Sequence, residues 1–196
     1  MKNQSSNFFR RLCVVAGVGL LASAFILGLL WYNEIRTSEK QSAATVQILR
    51  MLMPEPQGAL LAERADNSMP VISLDGTDYV GILELPAHGS ALPVCADWGR
   101  TTKHPCRFDG SIYNGTIQIG GTSQKGQYDF YREISVGDSV YFTDMTGNRY
   151  AYAVKDIRYE THADQSALNR EKTQLVLFIK NIYAFEYVIL FCDIPD

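Results

Sequence analysis

Residues 136–154 read VGDSVYFTDMTGNRYAYAV, and this stretch decides the fold class. Within it, the runs 140–143 and 150–154 are rich in aromatic and β-branched residues, which favour strands. The loop between them contains Gly147-Asn148, a pair of residues that favours a tight turn. Two such runs joined by a short turn predict a β-hairpin.

Similar short apolar runs, separated by turn residues, extend on both sides of this hairpin. They predict strands at 71–74, 79–85, 112–119, 174–179 and 187–191. The last two are almost continuously apolar, which indicates central strands. Asp75-Gly76 after the first run predicts a hairpin turn. With short helices predicted at 128–134 and 164–169, the pattern favours a mainly β fold, a closed and mostly antiparallel barrel with helical insertions.

The N-terminal segment has a different character, because 13–32 contains no charged residue. An apolar stretch of about 20 residues is long enough to cross a hydrocarbon core as a helix. Basic residues precede it at Lys2, Arg10 and Arg11. The positive-inside tendency then predicts a single-pass anchor with a cytoplasmic N-terminus and the rest of the chain outside the cell. A cleaved signal peptide is the alternative, because Ala22-Ser23-Ala24 resembles a cleavage site.

A helical arm is predicted between the anchor and the β domain. Ala43, Val46, Leu49 and Leu52 recur in steps of three, which we interpret as one helix face. Pro54 ends this helix, and a second short helix is predicted at 57–67. The predicted organisation is listed in chain order: a cytoplasmic N-terminus at 1–12, a transmembrane anchor at 13–32, a helical arm at 33–69 and a β-barrel domain at 70–196.

Composition excludes several classes of function. A formal net charge of -3 argues against a nucleic-acid-binding protein, which usually carries a basic surface. Gly120-Gly121 lacks the lysine and the hydroxyl residue of a phosphate-binding loop. The three histidines and the scattered cysteines show no metal-ligand spacing, so we expect no metal and no cofactor.

Three cysteines follow the predicted anchor, Cys95, Cys106 and Cys192. An odd number cannot pair completely. One disulfide with one free thiol and three free buried thiols are both compatible with the sequence.

Four stretches resemble class B sortases and their close relatives, in order and at matching spacing. They are YVGILELP at 79–86, LPV with DW within 92–98, PCRFDGS at 105–111 and VGDSVYFTDMTGN at 136–148. The resemblance covers about 79–192 and implies a sortase-like barrel. It also implies the family's chemistry, in which a Cys thiolate attacks a sorting-signal peptide, a His protonates the leaving amine and an Arg stabilises the oxyanion.

The positions that match these three catalytic residues hold other residues. Thr122 follows Ile119-Gly120-Gly121 where the family has its His, Lys180 follows 175–179 where it has the Cys, and Tyr187 replaces the Arg. Threonine has no pKa near 7 and cannot act as the acid or base. Tyrosine lacks the charge and the fork of a guanidinium. The resemblance therefore predicts a catalytically degenerate sortase.

From this we expect a membrane-anchored extracellular binding or accessory module for surface-protein or pilus sorting. Its partner would be a sorting-signal peptide, a pilin-like surface protein or an active sortase. The residues expected to line the peptide site are listed as Thr122, Lys180, Tyr183, Phe185 and Tyr187. Packing on a barrel face is the alternative role for the three aromatic residues.

Two other hypotheses remain open at this level. One is an active divergent sortase whose nucleophile has moved to another cysteine or to Lys180, with His88, His104 or His162 as the available imidazoles. His104-Pro105-Cys106 brings the two residue types together in sequence only. The other hypothesis is a purely structural spacer domain whose cleft is filled by Tyr187 and its neighbours.

Overall fold

The structure, a computed structural model, describes residues 3–55, 68–99, 103–113 and 115–195, with side chains from 16 onward except at 31 and 33–36. The helices are α1 (Asn3–Leu52) and α2 (Gln165–Leu168). The strands are β1 (Ile72–Leu74), β2 (Thr77–Leu85), β3 (Ser90–Cys95), β4 (Cys106–Asp109), β5 (Ile117–Thr122), β6 (Ser139–Asp144), β7 (Arg149–Glu160), β8 (Leu175–Asn181) and β9 (Glu186–Asp193). One 3-10 helix, Pro86–His88, follows β2, and another, Tyr131–Glu133, precedes β6.

The predicted transmembrane anchor, 13–32, lies within the single long helix α1. In the part of the chain that the structure describes, no helix is long and apolar enough to cross a membrane. The transmembrane helix predicted at 13–32 is therefore not found among the described residues. The chain divides into two compact units, Met1–Thr37 and Ser38–Asp196.

The strands of the second unit form the predicted closed barrel. The sheet order is β1-β2-β3-β4-β5-β8-β9-β7-β6, and an additional pairing of β2 with β6 closes eight of the strands into a ring. Two neighbouring pairs, β3 with β4 and β5 with β8, are parallel, and the others are antiparallel. Strands β8 and β9 lie between β5 and β7, so the prediction of central late strands is confirmed.

Both predicted hairpins are present. Asp75 and Gly76 have φ angles of 50° and 75° between β1 and β2, the positive values that a two-residue hairpin turn of this kind requires. Strands β6 and β7 pair from Ser139–Ala153 to Thr143–Arg149. The predicted strand at 112–119 is wrong in its first half, because β5 begins at Ile117. Gly115, with a φ of 140°, lies two residues before the start of that strand.

The predicted short helices are found in reduced form. The second is α2, and its first turn is capped by Asp164, which accepts a hydrogen bond from the Ala167 amide at 2.9 Å. The first shrinks to the 3-10 helix at Tyr131–Glu133. The helix predicted at 57–67 lies outside the described residues.

Apolar side chains fill the barrel and also cover two areas of its outer surface. The interior core contains Val80, Leu83, Val94, Ile119, Phe142, Leu177, Ile179, Val188 and Leu190. A first outer cluster joins Val46 and Leu49 of α1 to Tyr79, Ile82, Cys95, Cys106 and Met145. A second outer cluster joins α2 to Val176, Phe178, Ile189 and Phe191.

The arm is helical as predicted, but its buried face differs from the prediction. Ser42, Val46 and Leu49 are buried, whereas Leu52 is 53% exposed. Steps of three drift by about 60° per step around a helix of 3.6 residues per turn, so 43–52 cannot stay on one face. The observed spacing of four and then three keeps the buried side chains in one stripe.

Candidate functional site

Strands β5, β8 and β9 bring three predicted site residues into one row. Thr122 is the register partner of Lys180 across the parallel pair β5–β8. Lys180 is in turn the register partner of Tyr187 across the antiparallel pair β8–β9. Residues directly opposite each other on neighbouring strands project from the same face of a sheet. The row Thr122–Lys180–Tyr187 is therefore a contiguous patch on the sheet.

This row lies on the outer face of the barrel. The adjacent set of register partners is Gly121, Ile179 and Val188. These residues face the inner side, where Ile179 and Val188 join the interior core. Side chains alternate between the faces of a strand, so the next residues point outward. Lys180 is exposed, and Thr122 and Tyr187 are half-buried.

Thr122 is held by the segment that follows it. Its backbone N–H donates to Gln127 Oε1 at 2.8 Å, and its carbonyl accepts from the Tyr128 amide at 3.1 Å. The Thr122 hydroxyl oxygen is buried and has no hydrogen-bond partner among the described residues. A buried hydroxyl without a partner is energetically costly.

Lys180 does not occupy the environment of an amine nucleophile. Such a lysine needs a pocket that removes water from its ammonium group. The Lys180 side chain is exposed, and its backbone carbonyl accepts from the Ser123 amide at 3.0 Å. It contributes a solvated positive charge to the row.

The β8–β9 turn presents two large aromatic side chains to solvent. Tyr183 is 74% exposed and Phe185 is 101% exposed. Asn181 holds the turn, since its Oδ1 accepts from the Tyr183 amide at 3.0 Å and its Nδ2 donates to Glu186 Oε1 at 3.1 Å. Neither Tyr183 nor Phe185 therefore has the alternative role of packing on the barrel face.

Tyr187 has the packing role instead. It is half-buried against the second outer cluster, which contains Phe178 and Ile189 of the strands on either side of the β8–β9 turn. Tyr187 is the last residue of the row, and its ring packs against this cluster.

An aromatic platform adjoins the row and was not predicted as part of the site. The rings of Trp98, Phe108 and Phe178 lie with centroids 5.2 to 5.3 Å apart. They meet over Gly120, where a Cβ atom would lie 2.2 Å from Phe178 Cζ and 2.3 Å from Trp98 Cζ3. The Gly120-Gly121 pair was the available signal, since glycine permits a ring to lie directly on a strand.

The close packing on the inner side of β5 explains why residue 121 is a glycine. A Cβ atom at Gly121 would lie 2.6 Å from Cε2 of the fully buried Tyr128. The two glycines therefore allow aromatic rings to approach β5 from both faces. No hydrogen-bond partner of the Tyr128 hydroxyl lies among the described residues, and burial raises the pKa of this phenol well above its usual value.

None of the three cysteines of the second unit belongs to the row, none of them forms a disulfide, and all three are buried. Cys192 faces the interior core, and burial raises the pKa of its thiol. Cys95 and Cys106 lie in the first outer cluster, at 1% and 2% exposure. The sequence left open one disulfide or three buried thiols, and in the structure the three cysteines are buried without a disulfide.

The histidines form no pair with a thiol through their rings. His88 Nε2 lies 3.1 Å from Asp138 Oδ2, and its ring stacks on Phe130. His104 is buried, and the Cys106 thiol donates to its backbone carbonyl at 3.4 Å rather than to its imidazole. His162 is exposed beside Thr161. In the described chain, no group of three or more His, Cys, Asp or Glu side chains is placed to hold a metal.

A separate cavity lies between the arm and the barrel. Its volume is about 430 Å³, and its lining includes Ser42, Val46, His88, Leu92 and Phe130. None of the row residues lines it. The row is a surface feature of the barrel, and this cavity is distinct from it.

Comparison with solved structures shows the fold. Sortase A from Corynebacterium diphtheriae matches with a TM-score of 0.53 and 15% identity, over 83% of this chain and 82% of that one. Streptococcus agalactiae sortase C1 matches with a TM-score of 0.51 and 16% identity, over 60% of this chain and 68% of that one. A Clostridium perfringens sortase D5 transpeptidase matches with a TM-score of 0.50 and 16% identity, over 61% of this chain and 80% of that one.

No protein-family model and no curated protein sequence matches the chain. The chain therefore has the sortase fold, established by structural likeness at low sequence identity.

Proposed function

We propose that this protein is a class B-like sortase homologue that binds a sorting-signal peptide without cleaving it. It would act as an accessory module for a surface-protein or pilus sorting system. The observation that carries the proposal is the row Thr122–Lys180–Tyr187, in which neighbouring strands align the positions that match the family's His, Cys and Arg.

The chemistry of the row supports binding over catalysis. Acyl transfer by a sortase needs a thiolate, a proton donor and an oxyanion partner within reach of one carbonyl. The row offers a hydroxyl, an exposed ammonium and a phenol. Removing one member of such a catalytic unit is already severe, so a site that lacks all three keeps little of the mechanism.

The burial of the remaining thiols supports the same proposal. A cysteine nucleophile needs a stabilised thiolate that the substrate can reach. Cys95, Cys106 and Cys192 are exposed by 1%, 2% and 0%. A relocated cysteine nucleophile would have to open its surroundings before a peptide could approach.

The exposed side chains around the row suggest what it would bind. Tyr183 and Phe185 offer apolar area at 74% and 101% exposure, and the exposed Lys180 of β8 offers a positive charge. An extended peptide with apolar side chains and a backbone or acidic acceptor fits this combination. One structural neighbour is described as a sortase C1 of a pilus island. A sorting-signal peptide, a pilin-like surface protein or an active sortase is the class of partner we propose.

Localisation is part of the proposal and rests on the sequence. The charge-free stretch 13–32 after three basic residues suggests a single-pass anchor with the barrel outside the cell. At that location the row would meet exported surface proteins.

The proposal is tested by restoring the three side chains. Full-length protein and the variant Thr122→His, Lys180→Cys, Tyr187→Arg are incubated with a panel of fluorogenic sorting-signal peptides. We expect no cleavage by the natural chain and measurable cleavage by the variant. Controls are the variant with Lys180→Ser, which lacks the thiol, and the natural chain after thiol alkylation.

Two outcomes would favour the other hypotheses. Cleavage by the natural chain that alkylation abolishes would identify a divergent enzyme with a relocated nucleophile. Absence of both binding and cleavage, in the natural chain and in the variant, would favour a structural spacer.

A further inference from the structure

Cys95 and Cys106 face each other across two strands that otherwise do not pair. Cys95 ends β3, Cys106 begins β4, and these two residues are the single register pair that joins the strands. Neighbouring strands lie about 4.8 Å apart. Disulfides form between residues whose Cα atoms are about 4.4–6.8 Å apart. The backbone therefore already holds the two cysteines at a separation that a disulfide accepts.

The two sulfur atoms also interact with each other. The interaction between the two thiols raises the pKa of Cys95 and lowers that of Cys106. The Cys95 amide donates to the Pro105 carbonyl at 2.9 Å, so one backbone hydrogen bond joins the two segments next to the pair. Cysteines that are register partners and whose thiols interact are placed to form a disulfide by rotation of their side chains.

We propose that Cys95 and Cys106 form a redox-active dithiol that small disulfide oxidants convert to an intramolecular disulfide. This site is independent of the proposed peptide-binding row. A single register pair places little restriction on the local twist of β3 against β4, so the strands can adapt to the geometry of the bond.

The reaction is a thiol–disulfide exchange in two steps. The Cys106 thiolate attacks one sulfur of the oxidant, the oxidant's S–S bond breaks, and one thiolate leaves. The Cys95 thiolate then attacks the Cys106 sulfur of the mixed disulfide and releases the second thiolate. The two cysteine sulfurs are oxidised, the oxidant is reduced to two thiols, and the two cysteine protons go to the leaving thiolates.

The burial of the pair predicts how fast this occurs. Cys95 and Cys106 are 1% and 2% exposed, so the oxidant reaches Cys106 only after the surrounding side chains open. Oxidation is therefore expected to be slow, and faster in low concentrations of urea that leave the protein folded. Cys192 lies in the barrel interior with no cysteine partner among the described residues, so it provides an internal reference.

The test uses full-length protein in mixtures of oxidised and reduced glutathione, with and without low urea. After an acid quench, free thiols are alkylated in denaturant and the protein is digested with trypsin. Cleavage after Arg100 and Lys103 separates Cys95 from Cys106, so only a disulfide keeps their peptides together. We expect the linked peptide pair to accumulate, with loss of two of the four alkylated cysteines.

Two variants make the result specific. Cys192→Ala should form the same link, whereas Cys95→Ala should stop at a mixed disulfide of glutathione on Cys106. The oxidised natural chain should also have a higher Tm than the reduced chain, and Cys95→Ala should show no such shift.

Either of two results would overturn the proposal. One is full alkylation of both cysteines in the most oxidising mixture, with and without urea. The other is a stable glutathione adduct on either residue of the natural chain without the link between them.

Discussion

Lys180 and Thr122 are register partners at the ends of the parallel strands β5 and β8. Their backbones are joined beyond this pair, because the Ser123 amide donates to the Lys180 carbonyl at 3.0 Å. Two residues 58 positions apart in the sequence are thus fixed as neighbours by the sheet rather than by flexible loops. A site built on paired strands is more precisely positioned than one on loops.

The aromatic platform requires glycine at 120. Gly120→Ala places a Cβ atom within 2.3 Å of both Phe178 and Trp98, so we expect a loss of about 1–3 kcal/mol in the free energy of unfolding. Urea unfolding measures it. In a Phe178→Leu background, which relieves one contact, the same substitution should cost less. An unchanged unfolding midpoint for Gly120→Ala would show that the rings do not meet over this strand.

The arm stabilises the barrel through a narrow stripe. Leu49 is 0% exposed in the first outer cluster, whereas Met51 two residues further on is 76% exposed. We expect Leu49→Ala to lower the free energy of unfolding by about 2–5 kcal/mol and Met51→Ala to change it little. Equal effects in urea unfolding of the two variants would contradict this packing of the arm.

Protein stability should depend on His104 at mildly acidic pH. Burial, and to a smaller extent Lys103, lowers the pKa of His104 to about 4. The unfolded chain binds this proton below about pH 6.5, so between pH 6.5 and 4 the unfolded state holds more protons than the folded state. This contribution is fully present above pH 6.5 and is lost as the pH falls towards 4, by on the order of 2–3 kcal/mol in total.

Urea unfolding at several pH values measures this dependence. His104→Gln should have a shallower slope of stability against pH between 6.5 and 4, and His162→Gln, at an exposed site, should keep the natural slope. Identical slopes in all three proteins would mean that His104 is protonated equally in the folded and unfolded states.

The exposed turn should contribute to peptide affinity and not to stability. Phe185 is 101% exposed, so Phe185→Ala should leave the unfolding midpoint unchanged. If the side chain packs on the peptide, its removal should weaken binding by about tenfold, which corresponds to roughly 1.4 kcal/mol. Val136, 62% exposed before β6, supplies the control Val136→Ala. Equal affinities of the two variants would exclude the turn from the binding surface.

Much of the barrel could be predicted from local patterns. The hairpin turn at Asp75-Gly76 and the continuously apolar strands β8 and β9 carry their information within a few residues. The row Thr122–Lys180–Tyr187 followed from aligning strand ends with a known family, and the register of β5, β8 and β9 brings the three residues together.

The missed strand β3 and the unpredicted second half of β7 have weak local patterns. β3 contains Pro93, which usually argues against a strand. It is tolerated because β3 pairs with β4 through Cys95 and Cys106 alone. β7 continues to Glu160, past a register shift between Val154 and Asp156, into a partly polar stretch. These features depend on which strand lies alongside, information that a local window does not contain.

The aromatic platform of the site could not be predicted for the same reason. Trp98 and Phe108 come from the connection after β3 and from β4, and they meet Phe178 only because the barrel closes. Nothing in their own sequence context distinguishes them from ordinary core residues.

The most direct test of peptide binding without cleavage uses one labelled sorting-signal peptide and one sample. Fluorescence anisotropy measures its binding to the full-length protein, and mass spectrometry of the same sample after prolonged incubation measures whether it is intact. The account predicts a saturable rise in anisotropy with the peptide unchanged. Cleavage of the peptide, or a covalent peptide–protein adduct on any residue, would contradict it.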